Sequence, residues 1–181
     1  MNRPQYTIRQ TAAADLPDIC AIDDEAFSPY GTAEAPDVFA KRLIAYPTGC
    51  IVLTADGETV GYGCAEKWAA EREPQLGEDP FDTHDPAGKV FCITGMAVRA
   101  ARRGRGCGRA LVARLLDIAR REQCEKVVLE TTHAAGLYEK FGFTVTGERR
   151  QGNVRLMVMG LALTPPVPEH NKQGRAQGRS R

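Results

Sequence analysis

Val90-Phe91-Cys92-Ile93-Thr94-Gly95-Met96-Ala97-Val98, followed by Arg99-Ala100-Ala101-Arg102-Arg103-Gly104-Arg105-Gly106-Cys107-Gly108, is the stretch on which the fold turns. The first nine residues are almost continuously apolar, as a strand buried on both faces should be. From about Gly106 to Arg121, Leu111, Val112, Leu115, Leu116 and Ala119 recur at helical spacing, with Arg114, Asp117, Arg120 and Arg121 on the other side. Lys126 to Thr131 is a further short strand. The order is strand, glycine-rich loop, amphipathic helix, strand. At the start of such a helix, unpaired N–H groups and the positive end of the macrodipole coincide, and glycines let a ligand reach the main chain, so the loop suits a phosphate.

Three phosphate-loop patterns compete, and spacing separates them. A P-loop requires Lys-Ser/Thr after its last glycine, whereas Gly108 is followed by Arg109-Ala110. A dinucleotide fingerprint fits partly, with Glu130 ending the next strand, but its third glycine is one place early and five residues separate Val98 from Gly104. The spacing Arg103-x-x-Gly106-x-Gly108 closely resembles that of the GNAT superfamily of N-acetyltransferases, in which the loop holds the pyrophosphate of coenzyme A. Leu137-Tyr138-Glu139-Lys140-Phe141-Gly142-Phe143 resembles the second signature of that superfamily, a short helix carrying a tyrosine before a Gly-Phe strand entry. The resemblance covers about Val90 to Glu148, and more loosely the N-terminal part through Leu16-Pro17 and Val60-Gly61-Tyr62.

The 181 residues suffice for one domain with a sizeable core, and 43% apolar with 26% charged residues is ordinary for a globular chain. No apolar run approaches the ~20 residues of a membrane span, and Met1 to Tyr6 lacks a signal-peptide core, so a cytoplasmic protein with no membrane partner is expected. The cysteines Cys20, Cys50, Cys64, Cys92, Cys107 and Cys124 show no metal-ligand spacing; they are expected to be reduced, buried hydrophobes, and no metal is expected. The net charge of +1 argues against nucleic acid as the partner. After Thr164, Pro165, Pro166 and Pro168 precede a Gly/Gln/Arg run with Lys172, Arg175, Arg179 and Arg181. Residues 1–163 are therefore taken as a single N-acetyltransferase domain and 164–181 as a disordered basic tail.

Along the chain, Tyr6 to Arg9 predicts a first strand, and Asp15-Leu16-Pro17 starts a helix burying Leu16, Ile19, Cys20, Ala26 and Phe27. The run Asp23-Asp24-Glu25 predicts either a solvated acidic face or a field that draws a cationic substrate. A second helix from Pro36 to Tyr46 points Val38, Phe39, Leu43 and Tyr46 inward. Asp56-Gly57 joins strands Cys50 to Ala55 and Thr59 to Trp68 as a two-residue hairpin. Ala69 to Lys89, acidic and rich in proline and glycine, reads as a long loop beside a substrate groove. Phe143 to Thr146 and Val154 to Met159 close the sheet. The expected fold is α+β, GNAT-like: a mixed, mostly antiparallel seven-stranded sheet splayed between strands four and five, with helices on both faces.

The resemblance implies acetyl-CoA as co-substrate, its pantetheine arm pairing with the open backbone edge of strand four and its pyrophosphate lying on the loop. It assigns Met96, Val98, Arg103, Gly104, Gly106, Gly108 and Arg109 as cofactor contacts, chiefly through the backbone. Acyl transfer to an amine needs a neutral amine, a polarised thioester and a proton for the departing thiolate. Tyr138 matches the tyrosine that serves these enzymes as general acid. The arylalkylamine branch carries histidines in strand four, where this chain has Cys92 and Thr94, so its base is missing. Glu130, placed like the glutamate base of ribosomal-protein alanine acetyltransferases, and His133, whose ordinary pKa suits proton transfer, are the candidate bases. The expected acceptor is a small primary amine attacking directly in a ternary complex. Peptide or protein N-terminal acetylation and a non-catalytic acyl-CoA-binding module are the alternatives, and a homodimer is left open.

Overall fold

The computed structural model describes residues 6–163, and the expected basic tail lies outside them. In chain order the elements are strand β1 (Tyr6–Gln10), helix α1 (Leu16–Phe27), helix α2 (Pro36–Ala45), strands β2 (Cys50–Ala55) and β3 (Glu58–Trp68), and the helical turn α3 (Pro80–Thr83). Strand β4 (Val90–Val98), helix α4 (Cys107–Arg121), strand β5 (Lys126–Thr131), helix α5 (Ala135–Glu139) and strands β6 (Thr144–Gln151) and β7 (Val154–Ala162) follow. The sheet order is β1-β2-β3-β4-β5-β7-β6, and only β4 and β5 run parallel. Seven strands, mostly antiparallel, with helices on both faces, match the expected fold class.

Local chemistry accounts for the boundaries. Asp56 and Gly57 take φ of 54° and 82°, the two positive values that a tight hairpin turn matched to strand twist demands. Pro17 and Pro36 sit in the first turns of α1 and α2, where the missing N–H costs nothing. The closing hairpin is longer than its sequence pattern: β6 extends to Gln151 and β7 to Ala162, because β7 pairs with both β5 and β6 and so satisfies the backbone of β6, whose side chains are largely polar.

Helix α4 lays Leu111, Val112, Leu115, Leu116 and Ala119 on Ile51, Leu53, Phe91, Ile93, Val127, Leu129 and Met159. Each fully buried side chain of this kind contributes about 1.5–3 kcal/mol. On the opposite face, Ile19, Ile22 and Phe39 of α1 and α2 cover Val52, Tyr62, Cys64 and Ala97, and Trp68 packs with Cys92 and Val128. Ile22 belongs to the buried side of α1, while Leu16, Cys20, Ala26 and Phe27, which the pattern placed there, are its half-buried margin. Five of the six cysteines are buried, Cys20 is half-buried, and all are free thiols.

Charge has entered this second face. Asp23 is 3% exposed, its carboxylate accepting from the Tyr62 hydroxyl and, at 2.8 Å, from the Glu34 N–H. Arg42, also buried, lies between Glu34 and Glu66 at 3.5 Å from each. Glu66 further accepts from Trp68 Nε1 at 3.1 Å and Thr83 Oγ1 at 2.6 Å. The network ties α1, α2, β3 and α3 together, and it uses up the carboxylate that the sequence offered to solvent or to a cation. Burial raises the Asp23 and Glu34 carboxyls above their ordinary range.

Among the described residues, no helix is long and apolar enough to cross a membrane, and no group of three or more His, Cys, Asp or Glu side chains could hold a metal ion. Replacing Arg42 by Met should leave Glu34 and Glu66 buried without a countercharge. Such a loss costs about 3–5 kcal/mol, and urea denaturation should show the midpoint falling accordingly.

Candidate active site

Strands β4 and β5 pair only from Val90 opposite Lys126 to Ile93 opposite Leu129. On the other side of β4, the register with β3 shifts between Cys64 and Ala65, leaving Thr94 as the extra residue of a bulge. A bulge bends and twists its strand, so β4 turns away where its pairing with β5 stops. Arg99 N–H donates to Val60 across the β3 side at 2.9 Å. Antiparallel alternation then turns the backbone groups of Met96 and Val98 away from β3, toward the gap. Arg103 Nε reaches back to the Val98 carbonyl at 3.0 Å, fixing the mouth of the gap to the loop.

The loop itself is held from behind and open in front. Its upstream turn is anchored by Glu25, which accepts from the Ala100 N–H at 2.6 Å, by Arg99 against Asp18 and by Arg102 against Asp56. The acidic run thus ends in contacts within the protein: Asp23 in the core, Glu25 on this turn, and Asp24 on Ser28. Arg103, Arg105 and Arg109 are exposed and have no acidic partner among the described residues. Gly104 and Gly106 take φ of 72° and 86°, and a Cβ on either would point into open space. The N–H groups of Gly104, Arg105 and Gly106 make no hydrogen bond among the described residues, and α4 starts at Cys107 with no side-chain cap. This row of donors at a helix N-terminus is complementary to a pyrophosphate. Gly108 has a different job: a Cβ there would meet Leu137 at 3.4 Å, so its bareness lets α5 approach α4.

That approach brings the helix that carries Tyr138 against the first turn of α4. Its ring is 5% exposed and meets Phe143 edge-on at 5.7 Å, and its hydroxyl makes no hydrogen bond among the described residues. Burial holds the phenol well above its ordinary pKa. Glu130, at the end of β5, accepts from Arg149 Nε at 2.6 Å, and Arg149 also donates to the Pro74 carbonyl at 2.9 Å. The long acidic loop is therefore stitched to the sheet at two places, by Glu73 on Arg149 near Glu130 and by Glu71 on Lys126 at the start of β5. Of its acids, Glu71, Glu73, Glu78 and Asp79 pair with bases, whereas Asp82 and Asp85 have no basic partner among the described residues. Cys92, where a strand-four histidine would stand, is 1% exposed in the core, and the Thr94 hydroxyl is buried without a partner among the described residues.

His133 stacks obliquely on Tyr30 of the loop between α1 and α2, ring centroids 5.0 Å apart. The two form one side of a cleft of about 490 Å³ whose other side is Asn153, Arg155 and Met157 of the β6–β7 hairpin. The turn into α5 is capped by Thr131, whose hydroxyl accepts from the Ala134 N–H at 3.0 Å. Tyr30 and the hairpin residues carry no motif. The one signal for Tyr30 was a large aromatic in a Pro-Tyr-Gly loop, a position that no core pattern explains.

A sequence model described as acetyltransferase (GNAT) family matches residues 16–143. The chain is 42% identical over 141 residues to glucosamine 6-phosphate N-acetyltransferase 1 of rice, Oryza sativa subsp. japonica, covering 76% of this chain and 81% of that one. It is 32% identical over 123 residues to the L-methionine sulfoximine/L-methionine sulfone acetyltransferase of Salmonella typhimurium, covering 64% of this chain and 61% of that enzyme. In two further N-acetyltransferases it spans 37% and 39% of their length. The structure of yncA from Salmonella typhimurium, solved with its cofactor acetyl-CoA, superposes with a TM-score of 0.66 at 26% identity, covering 90% of this chain and 96% of that one. With its splayed strands, open glycine loop and matched family sequence, the chain belongs to the acetyltransferase (GNAT) family.

Proposed function

We propose that the protein transfers the acetyl group of acetyl-CoA to the primary amine of a small molecule, by direct attack in a ternary complex. The observation that carries this is the continuity of the donor row at Gly104 to Gly106 with the open edge of β4 at Met96 and Val98. An acyl-CoA pyrophosphate fits the unpartnered N–H groups, Arg103, Arg105 and Arg109 add charge around it, and the amide-bearing arm fits the strand edge. When bound, acetyl-CoA supplies an activated thioester. The cleft between Tyr30 and the hairpin then takes the acceptor, a volume suited to a metabolite-sized amine. The rice and Salmonella relatives are named for small amine substrates, which favours this class over a protein N-terminus.

Tyr138 donates its phenolic proton to the sulfur as the carbon–sulfur bond breaks. Its raised pKa keeps it protonated, so the acid form persists through the alkaline range instead of being lost near pH 10. His133, which lines the cleft, takes the proton that the acceptor ammonium must lose. Glu130, with one oxygen on Arg149, offers its second oxygen as an alternative acceptor.

Three outcomes test the proposal. Gly106→Val places a side chain in the cradle at a positive φ; calorimetry should show acetyl-CoA affinity reduced about tenfold or more, one charged-group hydrogen bond being worth about 1.5–3 kcal/mol. Unchanged affinity would remove the loop from the binding site. Tyr138→Phe should lower kcat about 10²–10⁴-fold with acetyl-CoA affinity intact, and the wild-type kcat profile should show no alkaline limb from this group below pH 10. His133→Ala should lower kcat/KM more than Glu130→Gln does. The reverse order would move the base to Glu130.

A further inference from the structure

The β6–β7 hairpin carries a charge arrangement that neither the fold nor acetyl transfer requires. Arg150 on β6 stands directly opposite Arg155 on β7. Like charges facing each other across an antiparallel pair oppose sheet formation. Arg155 is relieved by Glu148, two residues before Arg150 on its own strand, which accepts from Arg155 Nε at 2.8 Å and from Nη2. Arg149 is occupied by Glu130, Glu73 and the Pro74 carbonyl. Arg150 is exposed and has no acidic partner among the described residues. These side chains line a second cleft, of about 420 Å³, bordered by Glu148, Arg149, Arg150 and Arg155. It shares Glu148 and Arg155 with the cleft that holds His133 and Tyr30.

We propose that this second cleft binds an anionic group, a phosphate or a carboxylate, carried by the acceptor amine, with Arg150 as its principal ligand and Arg155 as its second. The inference rests on the acceptor cleft assigned above and specifies the substrate class: an amine that bears an oxyanion. Two guanidinium groups opposed across a pair form a fork that an oxyanion bridges, turning their repulsion into two charge-assisted hydrogen bonds. Because the two clefts adjoin through Arg155, an acceptor anchored there by its anion extends its amine toward His133 and the splay. Glu148 remains beside the anion as the group that holds Arg155 in place.

Two measurements test this independently of one another. In the first, backbone and guanidinium NMR shifts of the whole chain, with coenzyme A saturating so that the glycine loop is filled, are followed during titration with inorganic phosphate and, separately, with acetate. Saturable shifts centred on Arg150 and Arg155, lost in Arg150→Ala and partly kept in Arg150→Lys, are expected; the anion giving the tighter curve identifies the group. Absence of saturable shifts there with both anions overturns the proposal. In the second, kcat/KM is compared within pairs differing in the anion: glucosamine 6-phosphate against glucosamine, and alanine against alaninamide. The anionic member of one pair should be favoured about tenfold or more, and Arg150→Ala should collapse that ratio toward one. Equal values within both pairs for the wild type, or a variant that lowers both members equally, overturns the proposal while leaving acetyl transfer intact. Anion binding at Arg150 with no amine acetylated in any pair would instead reject the transferase assignment and leave the anion site standing. Thermal unfolding of Arg150→Ala without anion should occur at the same or a higher temperature than the wild type, since a like-charge opposition is removed.

Discussion

The single extra residue that Thr94 inserts into β4 governs the geometry on which everything else depends. It falls where pairing with β5 stops, at Ile93 opposite Leu129, and because β5 itself ends at Thr131, the last residues of β4, Met96 to Val98, have no strand beside them on that side. The bulge leaves part of that backbone facing a gap, and a polar backbone that lacks a partner must find one in water or in a ligand. The cost is contained because the rest of β4 is clamped hard, by β3 along one side and by α4 above it. A stiff, well-packed strand with one interrupted edge is a template for an extended amide-bearing molecule.

Much of this was legible in the residues. The helical recurrence of Leu111, Val112, Leu115 and Leu116, the near-continuous apolar run of β4 and the Asp56-Gly57 turn each encode their structure locally, so pattern and fold agree. The glycines at 104 and 106 read as a loop because positive φ confines the choice of residue there. Other features depend on partners distant in sequence, and no local pattern marks them. Arg42 looks like a surface cation on an amphipathic helix, yet Glu34 and Glu66 draw it inside. The Asp23 to Glu25 run looks like a solvated acidic patch, yet its first member is capped by Tyr62 from β3 and its last by Ala100 from the loop. The cleft beside His133 was the least visible part, because it is assembled from Tyr30, His133 and a hairpin whose register the sequence does not announce.

The buried network around Arg42 shows why a charged interior is tolerated here. Apolar residues of similar volume would pack as well and often more stably. What the ions add is direction: each carboxylate accepts from donors on a different element, so α1, α2 and the α3 segment can dock in one arrangement only. The loop carrying Tyr30 joins the first two of these helices, and its position follows from theirs.

The anchoring of the turn ahead of the glycine loop has a consequence for how a ligand arrives. Glu25, Asp18 and Asp56 hold Ala100, Arg99 and Arg102 from two separate elements. The conformational entropy of this turn is therefore surrendered when the domain folds, and a ligand entering the glycine loop would have only the few residues after it left to order. Association then resembles insertion into a finished mould, with encounter rate set by diffusion and by the steering of three exposed arginines. The same anchoring fixes where the loop begins, so a ligand leaving it meets an entrance that keeps its place.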